Sequence, residues 1–189
     1  MTRVLVLGVG NSLLTDDGVG VHAVARLRHE TAVPPDVTIL DAGTLSFSLL
    51  AALEQADALI AIDAARGGNE PGEVRVCEGD EVDRFLQRNG RSVHEVGLSD
   101  LLDMARLSGQ LPGRRVLIGV EPQVIDWGLE LSAPVAAALG PAAKPWLRRS
   151  CRPRNGNRVE SARRETRCSP HSSHRPPPGP ASLHRPAMR

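Results

Sequence analysis

The chain has 189 residues, 41% of them hydrophobic but only 2% aromatic, so its core must be built from Leu, Val, Ile and Ala, and stacking platforms for single-stranded nucleic acid are scarce. The net charge of +1 is unevenly spread: residues 148–189 carry eleven Arg against two acids, which leaves −8 on residues 1–147 and favours a cation or a basic protein surface over a nucleic acid as their partner. Three cysteines without CxxC spacing argue against a disulfide-stapled secreted fold, and no stretch approaches the roughly 18 apolar residues of a membrane span.

Met1-Thr2-Arg3 leads directly into an apolar run shorter than a signal sequence needs, so the expected location is cytoplasmic, with no membrane partner. That run, VLVLGV (4–9), is the first expected strand. VTILD (37–41), ALIAID (58–63) and RVLIGVE (115–121) follow the same pattern, continuous rather than alternating, as in parallel strands buried on both faces. EVRVCEG (73–79) alternates and follows a Gly/Pro turn, which fits an edge strand that could run antiparallel, with Cys77 as a small buried apolar group.

Helical spacing marks residues 18–30, with His22 and His29 on the solvent face. It also marks 45–56 after Thr44 as N-cap, and 79–89 with acids in the first turn. A further helix starts at Ser92 or His94 and runs to about 107, and a last one follows Ser132 with Pro134 in its first turn. This alternation predicts an α/β fold, a three-layer sandwich around a mostly parallel, twisted five-stranded sheet flanked by helices. Residues 1–147 form the expected folded domain. Residues 148–189, with seven of the fifteen prolines and few aliphatic side chains, read as a disordered Arg/Pro-rich tail or an unselected extension.

Three residues far apart in the chain stand where strands or turns give way to loops: Asp17, Asp63 and His94. The carboxyl ends of parallel strands converge on one crevice, where two carboxylates and an imidazole would make an acid–base site or a site for a hard-to-intermediate metal. Each has a plainer reading. Asp17 fits a helix N-cap, Asp63 a carboxylate satisfied by the amides of residues 64–68, and His94 a surface or capping histidine. Asp16 reads as a cap or as a group orienting its neighbour, Asp41 as an orienting carboxylate, and Asp100 as either a docking group or a solvated helix residue. GVGN (8–11) invites a dinucleotide-binding reading, but Leu13 stands where that fingerprint needs its third glycine, and Asp16 and Asp17 would repel a pyrophosphate. Gly8 and Gly10 then serve a tight turn, and Asn11 hydrogen-bonds its own turn.

Five blocks, GVGNSLLTDDGVGVHAV (8–24), ILDAGT (39–44), IAIDA (60–64), HEVGLSDLL (94–102) and IGVEP (118–122), resemble in order and spacing the nickel–iron hydrogenase maturation endopeptidases. The resemblance covers residues 3 to about 140. It implies an aspartic-type endopeptidase of peptidase family A31 that removes a C-terminal peptide from the precursor of the hydrogenase large subunit after nickel insertion. It also implies that Asp17, Asp63 and His94 contact the metal, with Asp17 and Asp63 catalytic and nickel supplied by the precursor. The family commonly has Glu at the first position, so Asp17 shortens that ligand by one methylene. Two other readings remain: a non-catalytic nickel-sensing chaperone of the large subunit, and a Rossmann-like nucleotide-binding enzyme.

Overall fold

The computed structural model describes residues 2–30, 32–44, 47–89 and 97–139. His94 and the tail from 148 onward lie outside the described residues. The strands are β1 (Val4–Val9), β2 (Val37–Gly43), β3 (Ala58–Ala64), β4 (Val74–Glu78) and β5 (Arg114–Val120). The helices are α1 (Val19–Glu30), α2 (Leu50–Glu54), α3 (Asp80–Asn89), α4 (Leu98–Leu107) and α5 (Ala133–Ala138).

The five strands form one sheet in the order β2-β1-β3-β5-β4. β1 pairs in parallel with β2 and β3, and β3 pairs in parallel with β5. Only β4 runs antiparallel, at the edge where its alternating sequence placed it, in the direction that sequence had left open.

Period-two alternation divides each buried strand between two cores. Val4 and Val6 of β1 face Val19, Val24 and Leu27 of α1 and Val135 of α5. Leu5, Leu7 and Val9 face Leu53 of α2, Val82 and Phe85 of α3, and Leu101 and Leu102 of α4. The sheet is therefore the middle of three layers. Burial on both sides is the physical reason that β1, β3 and β5 carry unbroken apolar runs. Among the described residues, no helix is long and apolar enough to cross a membrane.

Several local expectations need correction. The helix expected over 45–56 shrinks to a 3-10 turn, Phe47–Leu49, followed by α2. Of the residues in α2 only Leu53 is fully buried, so packing holds a single turn in place. α4 begins at Leu98, not at Ser92 or His94. Gly97 is its N-cap in extended conformation, and the Gly97 N–H donates to Asp100 Oδ2 at 2.9 Å. Asp100 is thus a capping carboxylate. Cys77 is buried as expected.

Gly8 does more than permit a turn. A Cβ there would lie 2.2 Å from Gly20 O, and one on Gly20 would lie 2.1 Å from Ile62 O. The two glycines let α1 press against β1 and β3, which brings the start of that helix down onto the strand ends.

Candidate functional site

β1 ends at Val9, and Gly10 follows with φ +126°, a conformation that favours glycine; a Cβ there would sit 1.8 Å from Asp17 O. The chain then folds back through Asn11, whose Oδ1 accepts from Leu13 N–H at 3.0 Å, into the 3-10 turn Thr15–Gly18. Asn11 does close its own turn, as its residue type suggested. Thr15 holds a left-handed φ of 44°, and it is fixed by bonds to another loop: its N–H donates to Gly128 O at 2.8 Å and its Oγ1 to Val124 O at 2.9 Å.

Asp17 is buried in this turn, and its Oδ2 accepts from Asn11 N–H at 2.8 Å. It holds the β1 loop. Asp63 is the penultimate residue of β3 and only partly exposed. Desolvation pushes its carboxyl up to about 7, the negative charge of Asp17 adds to the rise, and the Ala64 N–H opposes it. The structure therefore brings Asp63 within range of the Asp17 charge at the carboxyl edge of the sheet. At neutral pH the Asp63 carboxyl therefore still holds a proton for part of the time. The expected third member, His94, lies outside the described residues. Among the described residues no group of three His, Cys, Asp or Glu side chains is arranged to hold a metal ion.

Asp16, beside Asp17, is fully buried and makes the most connected polar cluster of the region. Its Oδ2 accepts from Gln123 N–H at 2.9 Å, Val124 N–H at 2.9 Å and Ser132 Oγ–H at 2.8 Å. Its Oδ1 accepts from Ser132 N–H at 2.7 Å. Burial raises its pKa, but the bonds from Val124, Ser132 and Gln123 outweigh that cost and leave it below the ordinary aspartate value. Asp16 is therefore no helix cap; it anchors the loop after β5 to the turn that carries Asp17.

Another buried carboxylate, Glu121, does the same for the loop after β3. It accepts from Gly67 N–H at 2.7 Å and Asn69 N–H at 3.2 Å. The Gly67 and Asn69 amides of that loop thus serve Glu121, the Ala65 N–H donates to Val120 O at 2.9 Å, and the Ala64 N–H is the cause acting on the Asp63 carboxyl from that direction. Sequence reasoning missed Glu121. Its one signal was a carboxylate closing an apolar strand, the same signal that picked out Asp63.

Asp41 is exposed, and its Oδ1 accepts from Gly43 N–H at 2.9 Å, an Asx turn that ends β2. His22 is not on the solvent face as expected. It lies one turn after Gly18, is half-buried, and its Nε2 is buried without a hydrogen-bond partner among the described residues.

A family model described as hydrogenase maturation protease (HycI) matches residues 21–149. The chain is similar to the hydrogenase expression/formation protein HupD of Bradyrhizobium diazoefficiens, with 43% identity over 141 residues, 74% of this chain and 73% of that protein. It is 39% identical to the hydrogenase 2 maturation protease of Escherichia coli over 146 residues, 77% of this chain and 88% of that one. Among solved structures, the hydrogenase maturating endopeptidase HybD from E. coli superposes with a TM-score of 0.72 at 37% identity, covering 78% of this chain and 91% of its own. The [NiFe] hydrogenase maturation protease HybD from Thermococcus kodakarensis gives a TM-score of 0.66 at 31% identity, covering 78% and 99%.

Proposed function

The chain belongs to the hydrogenase maturation protease family, and from that premise we propose that it is an aspartic-type endopeptidase that removes a C-terminal peptide from the nickel-loaded precursor of a nickel–iron hydrogenase large subunit. The observation that carries this reading is the pairing of Asp17 with Asp63, whose carboxyl is raised to about 7 by burial and by its neighbour's charge. Two carboxyl groups that cannot both ionise freely at neutral pH supply a base and an acid to one reaction. Asp17 takes the role of base toward a water molecule at the scissile carbonyl. Asp63, in the states in which it is protonated and not bound to nickel, donates toward the developing oxyanion or the leaving amine.

Asp17, Asp63 and His94 also receive the nickel that arrives with the precursor. Two hard oxygen donors and an imidazole suit a divalent ion of intermediate softness, and a cation relieves the repulsion felt by Asp63. The nickel supplies positive charge that marks a precursor ready for cutting. Because these residues form an incomplete coordination set, the free enzyme holds divalent metal weakly.

Incubation with nickel-loaded and nickel-free precursor, followed by mass spectrometry of the precursor's C-terminus, tests the reading. Cleavage of the nickel-loaded form alone is expected. Binding without any cut would instead identify a nickel-sensing chaperone, and tight binding of NAD, FAD or ATP would favour a nucleotide enzyme.

A further inference from the structure

Leu13, Val124, Trp127 and Leu129 are large apolar side chains left 51%, 42%, 80% and 62% exposed, and they belong to two loops that are joined to each other. Leu14 and Gly128 form a parallel bridge; Gly128 N–H donates to Leu13 O at 2.9 Å, and Thr15 N–H donates to Gly128 O at 2.8 Å. That register sets Leu13 beside Trp127. The second loop is held further by the Asp16 carboxylate, through Gln123, Val124 and Ser132. The apolar surface is thus fastened to the turn that carries Asp17.

Exposed apolar side chains grouped on well-anchored backbone mark interaction surfaces, and tryptophan is the side chain most often found at the energetic centre of an interface. Within the two loops the charge is of one sign. Neither residues 10–18 nor residues 121–132 contain Lys or Arg, and Asp126 and Glu130 are exposed on either side of Trp127 and Leu129. A partner segment that suits this surface carries apolar side chains flanked by Lys or Arg.

Resting on the endopeptidase reading, we propose that Leu13, Val124, Trp127 and Leu129 form a docking surface for an apolar, basic-flanked segment of the precursor. Docking there holds the precursor in register with the acid pair. The bridge between Leu14 and Gly128 and the Asp16 clamp fix the relation between the two surfaces.

The test uses the full chain and nickel-loaded precursor. Trp127→Ala is expected to raise KM about tenfold, the scale of one interface anchor, with kcat within about twofold of the parent. Trp127→Phe is expected to recover most of that loss. Asp126→Asn combined with Glu130→Gln is expected to flatten the dependence of KM on salt. Binding of the precursor to Asp63→Asn, with and without Trp127→Ala, measures the same step without chemistry. Loss of affinity in that pair supports the docking surface even if the parent enzyme cuts nothing, an outcome that would sink the endopeptidase reading alone. Unchanged KM and unchanged affinity in Trp127→Ala overturn the docking surface while leaving the endopeptidase reading intact. A parent dimer that Trp127→Ala converts to monomers in sedimentation would assign the surface to a second copy and also overturn it.

Discussion

Replacing Asp63 by Asn should stabilise the protein above neutral pH and do almost nothing to stability in acid. The folded-state carboxyl is raised from the ordinary 3.8 to about 7, first by desolvation and then by Asp17. A raised carboxyl pKa means that the folded state holds a proton the unfolded chain has already released. Stability is therefore undiminished below about pH 4, falls as the pH rises toward 7, and stays reduced above it. The interval of about three units, at about 1.4 kcal/mol per unit, bounds the penalty at about 4 kcal/mol. Asparagine keeps an oxygen to accept from Ala64 N–H and carries no charge for Asp17 to repel. At pH 8 its melting temperature should rise by as much as roughly 10 °C, at about 3 °C per kcal/mol for a domain of this size. Urea denaturation of both proteins between pH 4 and pH 8.5 measures the difference directly. Equal stability at pH 8, or a difference that does not change with pH, would refute the burial-and-repulsion argument.

Removing the partner's charge tests the same pair from the other side. Asp17→Asn should lower the titration midpoint of the Asp63 carboxyl, read by carboxyl-carbon NMR, yet leave it above 3.8 because desolvation is the larger cause; an unmoved midpoint would mean that the two groups do not interact. Asp16→Asn should cost about 1–3 kcal/mol, since an amide NH2 must face at least one of the N–H donors of Gln123, Val124 and Ser132. Hydrogen exchange in residues 122–132 should accelerate in that variant. Gly20→Ala should destabilise by at least about 3 kcal/mol, because its Cβ would lie 2.1 Å from Ile62 O and 2.3 Å from Val9 O; a near-neutral melt would show that α1 can lift from the sheet at little cost.

The sheet was readable because its cause is local. Unbroken apolar runs in β1, β3 and β5 fit burial on both faces, and the alternation in β4 fits an edge. Asp63 was readable for a related reason, since a carboxylate closing such a run has to be explained by something. What the sequence concealed is set by distant partners. Asp16 looked like a cap because its neighbours form a turn, yet its donors lie 107 to 116 residues away. The start of α4 was misplaced because Ser92 and His94 have the side chains of caps, whereas Gly97 caps through its extended backbone and a returning bond from its own N–H to Asp100. The close approach of Gly8 and Gly20 could not be distinguished from the needs of a turn until the helix was set against the strands. The exposed Trp127 carried no periodicity at all, and its place next to the β1 loop is set by the bridge from Gly128 to Leu14.

The central claim is that the Asp17–Asp63 pair performs the cut on a nickel-loaded precursor. The most direct measurement is mass spectrometry of the precursor's C-terminus after incubation with the parent chain and with Asp63→Asn, the latter shown to be folded by its melt. The expected result is loss of the C-terminal peptide with the parent and an intact precursor with Asp63→Asn. Normal processing by the folded Asp63→Asn protein would contradict the claim.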